Sequence, residues 1–312
     1  MTYQVLLCAI LVLSGCAAGP ERQMLRDAGP AVELVHVPFF AQDRYQCGPA
    51  ALATLLVSDG IDVTPQQLVS QVYVPARRGS LQAELLAASR RHGRVPYVLA
   101  PSLAPVLEAL TSGHPVLVLQ NLRLERWPVW HYAVLIGFDA DREAFLLRSG
   151  TTPRQRSSAR SFLASWNRAG RWSLVVVPPD APPPMADVLG WLQAVAPFES
   201  MGDLVTAETA YEAAVARWPE SGLAWTALGN VRYLQQAFTG ATHAYIHALT
   251  LSPELWIARN NLVRTMIANN CPEQAPTWLV TPGPAPVEMA ATWRRTLEAL
   301  ADTPRGACRP EH

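Results

Sequence analysis

The sequence contains no lysine, so all 25 of its positively charged side chains are arginine. This excludes Schiff-base chemistry on a lysine amine. Only 16% of the residues are charged and the formal net charge is zero, whereas 50% are hydrophobic. This composition argues against intrinsic disorder and against a dedicated nucleic-acid-binding protein, and the 312 residues are enough for about two domains.

Signals for cofactors are also missing. There is no glycine-rich loop of the kind that holds nucleotide phosphates. His243 and His247 have the i,i+4 spacing of a metal-binding pair, but no third ligand lies near them in the sequence. We therefore predict no cofactor, no metal site, no nucleotide and no nucleic-acid partner.

The apolar run Val5–Leu13 is shorter than the roughly 20 residues that a membrane-spanning helix needs. It leads into Leu13-Ser14-Gly15-Cys16, which resembles the lipobox of bacterial lipoproteins, although the usual basic residues before the run are missing. The resemblance implies that residues 1–16 are a lipoprotein signal peptide, that Cys16 is lipidated, and that the protein is anchored in the bacterial cell envelope, at the outer membrane facing the periplasm. The alternative is an ordinary buried N-terminal element with a chance cysteine. Residues 17–30 contain glycine, proline and both signs of charge, which predicts a tether.

A proline-rich linker at residues 180–185 divides the rest of the chain into two patterns. Residues 31–179 alternate short β-branched runs with helical spacing, which predicts an α+β domain. The predicted strands are 95–99, 115–120, 131–138, 143–148 and 172–177, and the predicted helices are 47–58, 64–73, 80–92 and 102–111.

Residues 186–312 carry an internal repeat. Five pairs of identical residues lie 34 positions apart, namely Trp191 and Trp225, Ala207 and Ala241, Tyr211 and Tyr245, Ala214 and Ala248, and Pro219 and Pro253. The pattern resembles the tetratricopeptide repeat (TPR), which implies an all-α, TPR-like helical domain that recruits a protein partner. The aromatic residues of these helices are interpreted as packing residues, with a peptide-binding groove as the alternative.

The two halves differ in charge. Residues 31–179 hold 15 arginines and 10 acidic residues, a net charge of +5, and residues 180–312 hold 8 arginines and 13 acidic residues, a net charge of −5. Two and a half repeats bury little surface alone. We therefore expect the halves to dock on one another, with recruitment of oppositely charged partners as the alternative.

The five cysteines fall into separate roles. Cys8 lies in the signal peptide and Cys16 is the lipidation site. Cys271 and Cys308 both lie in the helical half, and in an oxidising periplasm we predict a disulfide between them, the alternative being two unrelated free thiols. Cys47 is then the odd cysteine and a candidate reactive thiol.

The surroundings of Cys47 fit that role. It precedes Pro49 and an apolar helical run, so it is predicted at a helix N-terminus, where free amides and the helix dipole favour the thiolate. A thiolate nucleophile also needs a base and a donor for the oxyanion. His131, at the start of a predicted strand, is the candidate base, and Gln42 is the candidate donor.

The motifs Gln42…Cys47-Gly48-Pro49-Ala50 and His131-Tyr132-Ala133-Val134-Leu135 resemble the papain-like cysteine peptidases that process the double-glycine leader peptides of bacteriocins. The resemblance covers about residues 33–177. It implies a papain-like fold in which Cys47 is the nucleophile, His131 the general base and Gln42 a residue of the oxyanion hole. Because the Gln-to-Cys spacing is one residue shorter than is common in the family, Gln46 is the alternative donor.

The residue that orients His131 departs from the family pattern. The family has an aspartate at the end of the next strand, where this chain reads Leu147-Arg148-Ser149-Gly150. Asp139 lies eight residues along the strand from His131, on the order of 26 Å away, and is excluded. If the turn is centred near Asp141, His131 lies opposite residues 149–152, and we predict Ser149 as the orienting residue.

These observations together predict a membrane-anchored cysteine peptidase that acts on a peptide or protein substrate, with the helical repeats recruiting substrate or partner. Two alternatives remain open at this stage. One is a peptide-binding or scaffold lipoprotein whose catalytic site has decayed. The other is an amide acyltransferase that uses the same Cys-His pair.

Overall fold

The computed structural model describes residues 19–42, 46–280 and 283–304. The helices of these residues are α1 Gly19–Asp27, α2 Cys47–Ser58, α3 Pro65–Val72, α4 Gln82–Arg91, α5 Leu103–Thr111, α6 Ala159–Asn167, α7 Val188–Met201, α8 Leu204–Arg217, α9 Gly222–Leu234, α10 Phe238–Leu251, α11 Trp256–Ala268, α12 Pro276–Leu279 and α13 Val287–Asp302. The strands are β1 Ala31–Glu33, β2 Tyr73–Val74, β3 Gly79–Ser80, β4 Val95–Val98, β5 Val116–Asn121, β6 Trp130–Asp139, β7 Ala144–Ser149, β8 Thr152–Ser158 and β9 Ser173–Val177.

Two of the predicted features lie outside these residues, the signal peptide with its lipidated Cys16 and the disulfide partner Cys308. No helix in the described ranges is both long and apolar enough to cross a membrane.

The N-terminal half is built on one antiparallel sheet with the strand order β4-β9-β5-β6-β7-β8, and β1 pairs with the far end of β6. Strand β6 is buried from its third residue to its last. A strand that is covered on both faces reads as a continuous apolar run, which is how this segment appears in the sequence. Val134 pairs with Arg148, so His131 lies beside the end of β7, and the predicted register is confirmed.

Helix α2 lies in the core of the same half and packs against β6. Its residues 48–56 are all buried, as expected of a helix that is apolar on every side. Pro49 is tolerated because the first turn of a helix needs no amide donor there. Cys47 is the first residue of α2. Its backbone is therefore fixed by one of the most deeply buried elements of the molecule.

The predicted elements of this half are confirmed to within two residues at each end. The predicted tether at residues 17–30 is wrong from residue 19 onward, because Gly19–Asp27 forms α1 and Leu25 is buried in the core. Arg171 also makes an ion pair of 2.7 Å with Glu21 of this helix. The folded part of the chain therefore begins before the predicted boundary at residue 31.

The C-terminal half is helical, and its helices repeat at the interval of the sequence repeat. Helices α7, α9 and α11 begin at Val188, Gly222 and Trp256, each 34 residues after the last, and α8 and α10 begin at Leu204 and Phe238. From α7 to α11, each helix packs against the next one along the chain, and α11 packs against α13.

The two halves are joined by a continuous hydrophobic core that runs from the sheet into α7, α8 and α9. Beside it, the Tyr97 hydroxyl accepts a hydrogen bond from the backbone amide of Asp187 at 3.2 Å, and the Arg90 guanidinium donates to the Ala194 carbonyl at 3.4 Å. The ion pairs between described residues all lie within one half or the other. The expected docking is confirmed, but apolar burial rather than the opposite net charges holds the halves together.

Candidate active site

Cys47 is a free thiol at the first position of α2. Backbone amides of Tyr132, Gly48 and Cys47 itself donate towards its sulfur and favour the thiolate. Burial has the larger effect and raises the pKa of the Cys47 thiol above its ordinary value. The amides at the helix start therefore act in the predicted direction, but desolvation has the larger effect and favours the neutral thiol in the resting protein.

His131 lies at the start of β6, with its Nε2 atom 2.9 Å from the Ser149 hydroxyl oxygen. Ser149 is buried at the end of β7, with 7% of its surface exposed. When Nε2–H donates to this hydroxyl, Nδ1 is the ring nitrogen left free to accept a proton. Burial lowers the pKa of His131 below its ordinary value, so the ring is neutral near pH 7.

The structure also agrees with the exclusion of Asp139 as the orienting residue. Asp139 lies at the opposite end of β6, where its carboxylate accepts a hydrogen bond of 2.9 Å from Arg142. Ser149 is therefore the residue in contact with the ring, as predicted, while the contribution of that contact to activity remains a prediction.

Two hydrogen bonds hold Gln42 beside the same site. Its backbone amide donates to the Gly150 carbonyl at 3.0 Å, and its side-chain Nε2 donates to the Tyr132 carbonyl at 3.4 Å. Gln46, immediately before α2, is not among the described residues that line the cleft, whereas Gln42 is. Placement therefore favours Gln42 over Gln46 as the oxyanion donor.

Cys47, His131 and Gln42 line one cleft with a volume of about 900 Å³. The other walls come mainly from two segments that sequence reasoning did not connect with the site: residues 77–82 around the β2–β3 hairpin, and residues 128–130, which lead into β6. Leu119, Gly150 and Ala169 also line the cleft. Arg77 and Arg78 give the hairpin side of the cleft a positive charge.

The hairpin is fitted closely to the nucleophile. A Cβ atom on Gly48 would overlap the side chain of Ser80, so only glycine leaves room for the hairpin beside Cys47. The Tyr132 hydroxyl donates to the Ser80 carbonyl at 3.3 Å, and the buried Ser80 hydroxyl has no hydrogen-bond partner among the described residues. The sequence shows that Gly48 follows Cys47, but it does not show that Ser80 packs against this glycine.

The remaining predicted residues lie elsewhere. Cys271 is disulfide-bonded, and its predicted partner Cys308 lies outside the described residues.

No group of three or more His, Cys, Asp or Glu side chains in the described ranges is arranged to hold a metal ion. In the helical half, a smaller pocket of about 250 Å³ is lined by residues that include Asn230, Asn261 and Arg264.

Most of the N-terminal half is similar to a known protein family. Residues 34–174 match the model of the Peptidase_C39 like family. The chain thus combines an α+β C39-like peptidase domain with a helical C-terminal region. No curated protein shows significant sequence similarity to the chain.

Three solved structures are similar to this half. A putative C39-like peptidase from Bacillus anthracis is 18% identical with a TM-score of 0.41, and the match covers 48% of this chain and 98% of that one. A double glycine motif protease from an AMS/PCAT transporter, solved in complex with the leader peptide, is 22% identical with a TM-score of 0.35 and coverages of 46% and 91%. The peptidase domain of Streptococcus ComA, a bifunctional ABC transporter of a quorum-sensing pathway, is 18% identical with a TM-score of 0.37 and coverages of 46% and 99%.

Proposed function

We propose that the protein is a cysteine peptidase that hydrolyses peptide bonds at Cys47. The observation that carries this proposal is that the Cys47 thiol, the His131 ring held by Ser149, and the Gln42 side chain line one cleft. A free cysteine at a helix start, a partly buried histidine with one free ring nitrogen and an amide donor are the parts that acyl transfer through a thioester needs.

The reaction follows from these parts. Because the pKa of Cys47 is raised and that of His131 is lowered, the resting pair is a neutral thiol and a neutral imidazole. As the sulfur attacks the scissile carbonyl carbon, its proton passes to Nδ1 of His131. The Gln42 amide and the backbone amide of Cys47 hold the oxyanion. The imidazolium then protonates the leaving amine, and water, deprotonated by His131, hydrolyses the thioester to release the acid and the thiol.

The helical half supplies a second surface for a protein partner. Its 34-residue helix spacing is that of TPR units, which stack to form concave binding surfaces. We propose that the pocket beside Asn230, Asn261 and Arg264 belongs to this surface and recruits substrate or partner. The lipobox-like sequence before Cys16 supports a lipid anchor at the periplasmic side of the outer membrane.

Peptide cleavage tests the catalytic proposal. The full chain is incubated with a library of proteome-derived peptides, and new termini are identified by mass spectrometry. We expect cleavage by the wild type and none by Cys47→Ala or His131→Ala. In water labelled with heavy oxygen, hydrolysis places the label in the new carboxylate, whereas transfer to an amine does not. Unlabelled products that need an added amine would identify an acyltransferase.

A non-catalytic peptide-binding protein is the second candidate, because the group that orients His131 is a hydroxyl instead of a carboxylate. It predicts that no peptide is cleaved and that peptide affinity is the same in the wild type and in Cys47→Ala. Fluorescence anisotropy with peptides retained by the immobilised protein measures this affinity.

A further inference from the structure

The loop between β5 and β6, residues 122–129, exposes an unusual number of large apolar side chains. Leu124 and Trp127 are 66% and 65% exposed, and Leu122, Val129 and the adjoining Trp130 are also exposed. Isolated exposed apolar residues are common on protein surfaces, but a contiguous group marks an interaction surface. We call these five side chains the apolar tip.

The apolar tip is held in place by hydrogen bonds at its base. The Asn121 side-chain oxygen accepts from the backbone amides of Arg123 at 3.1 Å and Val129 at 3.0 Å, and the Leu122 amide donates to the Val129 carbonyl at 2.9 Å. The Arg168 guanidinium donates to the Asn121 carbonyl at 2.9 Å. The loop therefore presents its apolar side chains from a braced backbone.

The charges around the apolar tip are mostly positive. Arg123, Arg126 and Arg168 surround it, and Glu125 is the acidic residue of the loop. The Arg126 guanidinium lies 5.6 Å from the centre of the Trp127 ring. Tryptophan and leucine beside arginine are the combination that binds the interface of an anionic bilayer, where the rings enter the headgroup region and the guanidinium groups pair with phosphates.

The chain enters the fold near the same loop. Glu21 makes its ion pair with Arg171, and Arg168, three residues earlier, lines a shallow pocket with Leu122, Leu124 and Trp127. Cys16 precedes Glu21 by five residues, which span at most about 17 Å. A lipid attached to Cys16 and the apolar tip can therefore reach one bilayer together.

We propose that the apolar tip docks on the surface of the bilayer to which the Cys16 lipid anchors the protein, a proposal that rests on the anchor of the proposed function. Val129 and Trp130 belong both to the apolar tip and to the wall of the cleft. Docking places the mouth of the cleft beside the membrane surface. The substrates that this position favours are chain segments that lie at that surface.

Tryptophan quenching by brominated lipids tests the docking. The full chain is expressed in a bacterial host with its own leader, and vesicles of phosphatidylethanolamine and phosphatidylglycerol are added in excess, with and without brominated phosphatidylcholine. We expect quenching of the wild type and loss of most of it in the double variant Trp127→Phe/Trp130→Phe. The matched control Trp218→Phe/Trp256→Phe removes two partly buried tryptophans of the helical half and should keep the wild-type quenching.

The mass of the N-terminal peptide, measured on the same samples, separates the anchor from the docking. A lipidated Cys16 without quenching, or equal quenching in the wild type and in Trp127→Phe/Trp130→Phe, would overturn the docking and leave the anchor intact. An unmodified Cys16 with quenching that depends on Trp127 and Trp130 would support the docking and remove the anchor. Weaker peptide cleavage by the double variant without any lipid quenching would overturn docking and assign the loop to peptide binding.

Discussion

Among the described residues, the His131 ring has one hydrogen-bond partner, the neutral Ser149 hydroxyl. The Ser149 hydroxyl can fix the ring and its tautomer at 2.9 Å, but unlike a carboxylate it carries no charge that stabilises an imidazolium. Burial raises the pKa of Cys47 and lowers the pKa of His131. The resting site therefore holds a neutral thiol and a neutral imidazole. In the proposed reaction, His131 therefore acts as a general base during attack.

Replacing Ser149 tests the role of this bond. In Ser149→Ala the partly buried Nε2 atom loses its partner, and we expect kcat/KM for peptide cleavage to fall roughly tenfold, at the lower end of the about 1–3 kcal/mol that an unmade buried hydrogen bond costs. In Ser149→Asp the carboxylate raises the pKa of His131, so the acidic limb of the pH profile should move to higher pH. An unchanged rate and profile in both variants would show that Ser149 does not orient the base.

The pH dependence of the wild type distinguishes a neutral pair from an ion pair. His131 must be unprotonated to act as a base, so kcat/KM should rise with pH through an apparent pKa below the ordinary histidine value of 6.5. It should then stay level to at least pH 9.0, because the thiol ionises above that value. A thiolate-imidazolium pair would instead lose activity on the alkaline side as the imidazolium gives up its proton.

The residues of the site were accessible to sequence analysis, but their ionisation was not. Cys47, His131 and Gln42 carry motif spacing, and Ser149 follows from the strand register. The direction of the Cys47 pKa depends on how deeply the thiol is buried, which no local pattern encodes. Ser80 could not be found either, because its contact with Gly48 is made across the fold.

Among the elements, α2 and the β2–β3 hairpin form the tightest junction of the site. We expect Gly48→Ala to destabilise the protein by about 1–3 kcal/mol, since the added methyl group overlaps Ser80 and the buried helix cannot move away. Urea denaturation measures the loss. Gly79→Ala is the matched control in the hairpin, because its added methyl group meets only the Arg77 carbonyl at 3.8 Å. Equal stability of the Gly48 variant and the wild type would contradict this packing.

Most elements with strong periodicity were predicted, whereas several short or polar elements and the amphipathic helix α6 were missed. The buried strands β5 and β6 are continuous apolar runs, whereas β8 is an exposed edge strand of sequence TPRQRSS without alternation. Charges and proline on an edge strand prevent it from pairing with strands of other molecules. They also interrupt the alternation of apolar and polar residues by which a strand is predicted. Strand β1 is only three residues long, and the short helix α1 resembles a linker in composition.

At the scale of the whole molecule, the sheet of the N-terminal half shares one hydrophobic core with helices α7, α8 and α9, whereas α10 and α11 pack mainly in a second core. We expect the sheet and α7–α9 to lose stability together. Trp191 is fully buried in α7, and its Nε1 donates to the Ala210 carbonyl at 2.9 Å. We expect Trp191→Ala to cost about 3–5 kcal/mol. Tryptophan fluorescence and the accessibility of the Cys47 thiol should report the same shifted urea midpoint.

Leu189→Ala is the control for this variant, because Leu189 is half exposed on the same helix and should change the midpoint little. If fluorescence shifted while the Cys47 accessibility kept its wild-type midpoint, the halves would unfold independently. The sequence indicated that the halves dock but not how, since the opposite net charges suggested ion pairs and the contact is apolar.

The measurement that tests the central claim most directly is the rate at which iodoacetamide alkylates Cys47 between pH 5 and pH 9, read from the mass of its peptide in the wild type and in His131→Ala. At pH 7 we predict that Cys47 of the wild type reacts roughly a hundredfold faster than Cys47 of His131→Ala, which is the lower end of what a general base contributes. The rate of His131→Ala should rise only as the raised pKa of the thiol is approached. Identical pH profiles in the two proteins would contradict a Cys47–His131 pair.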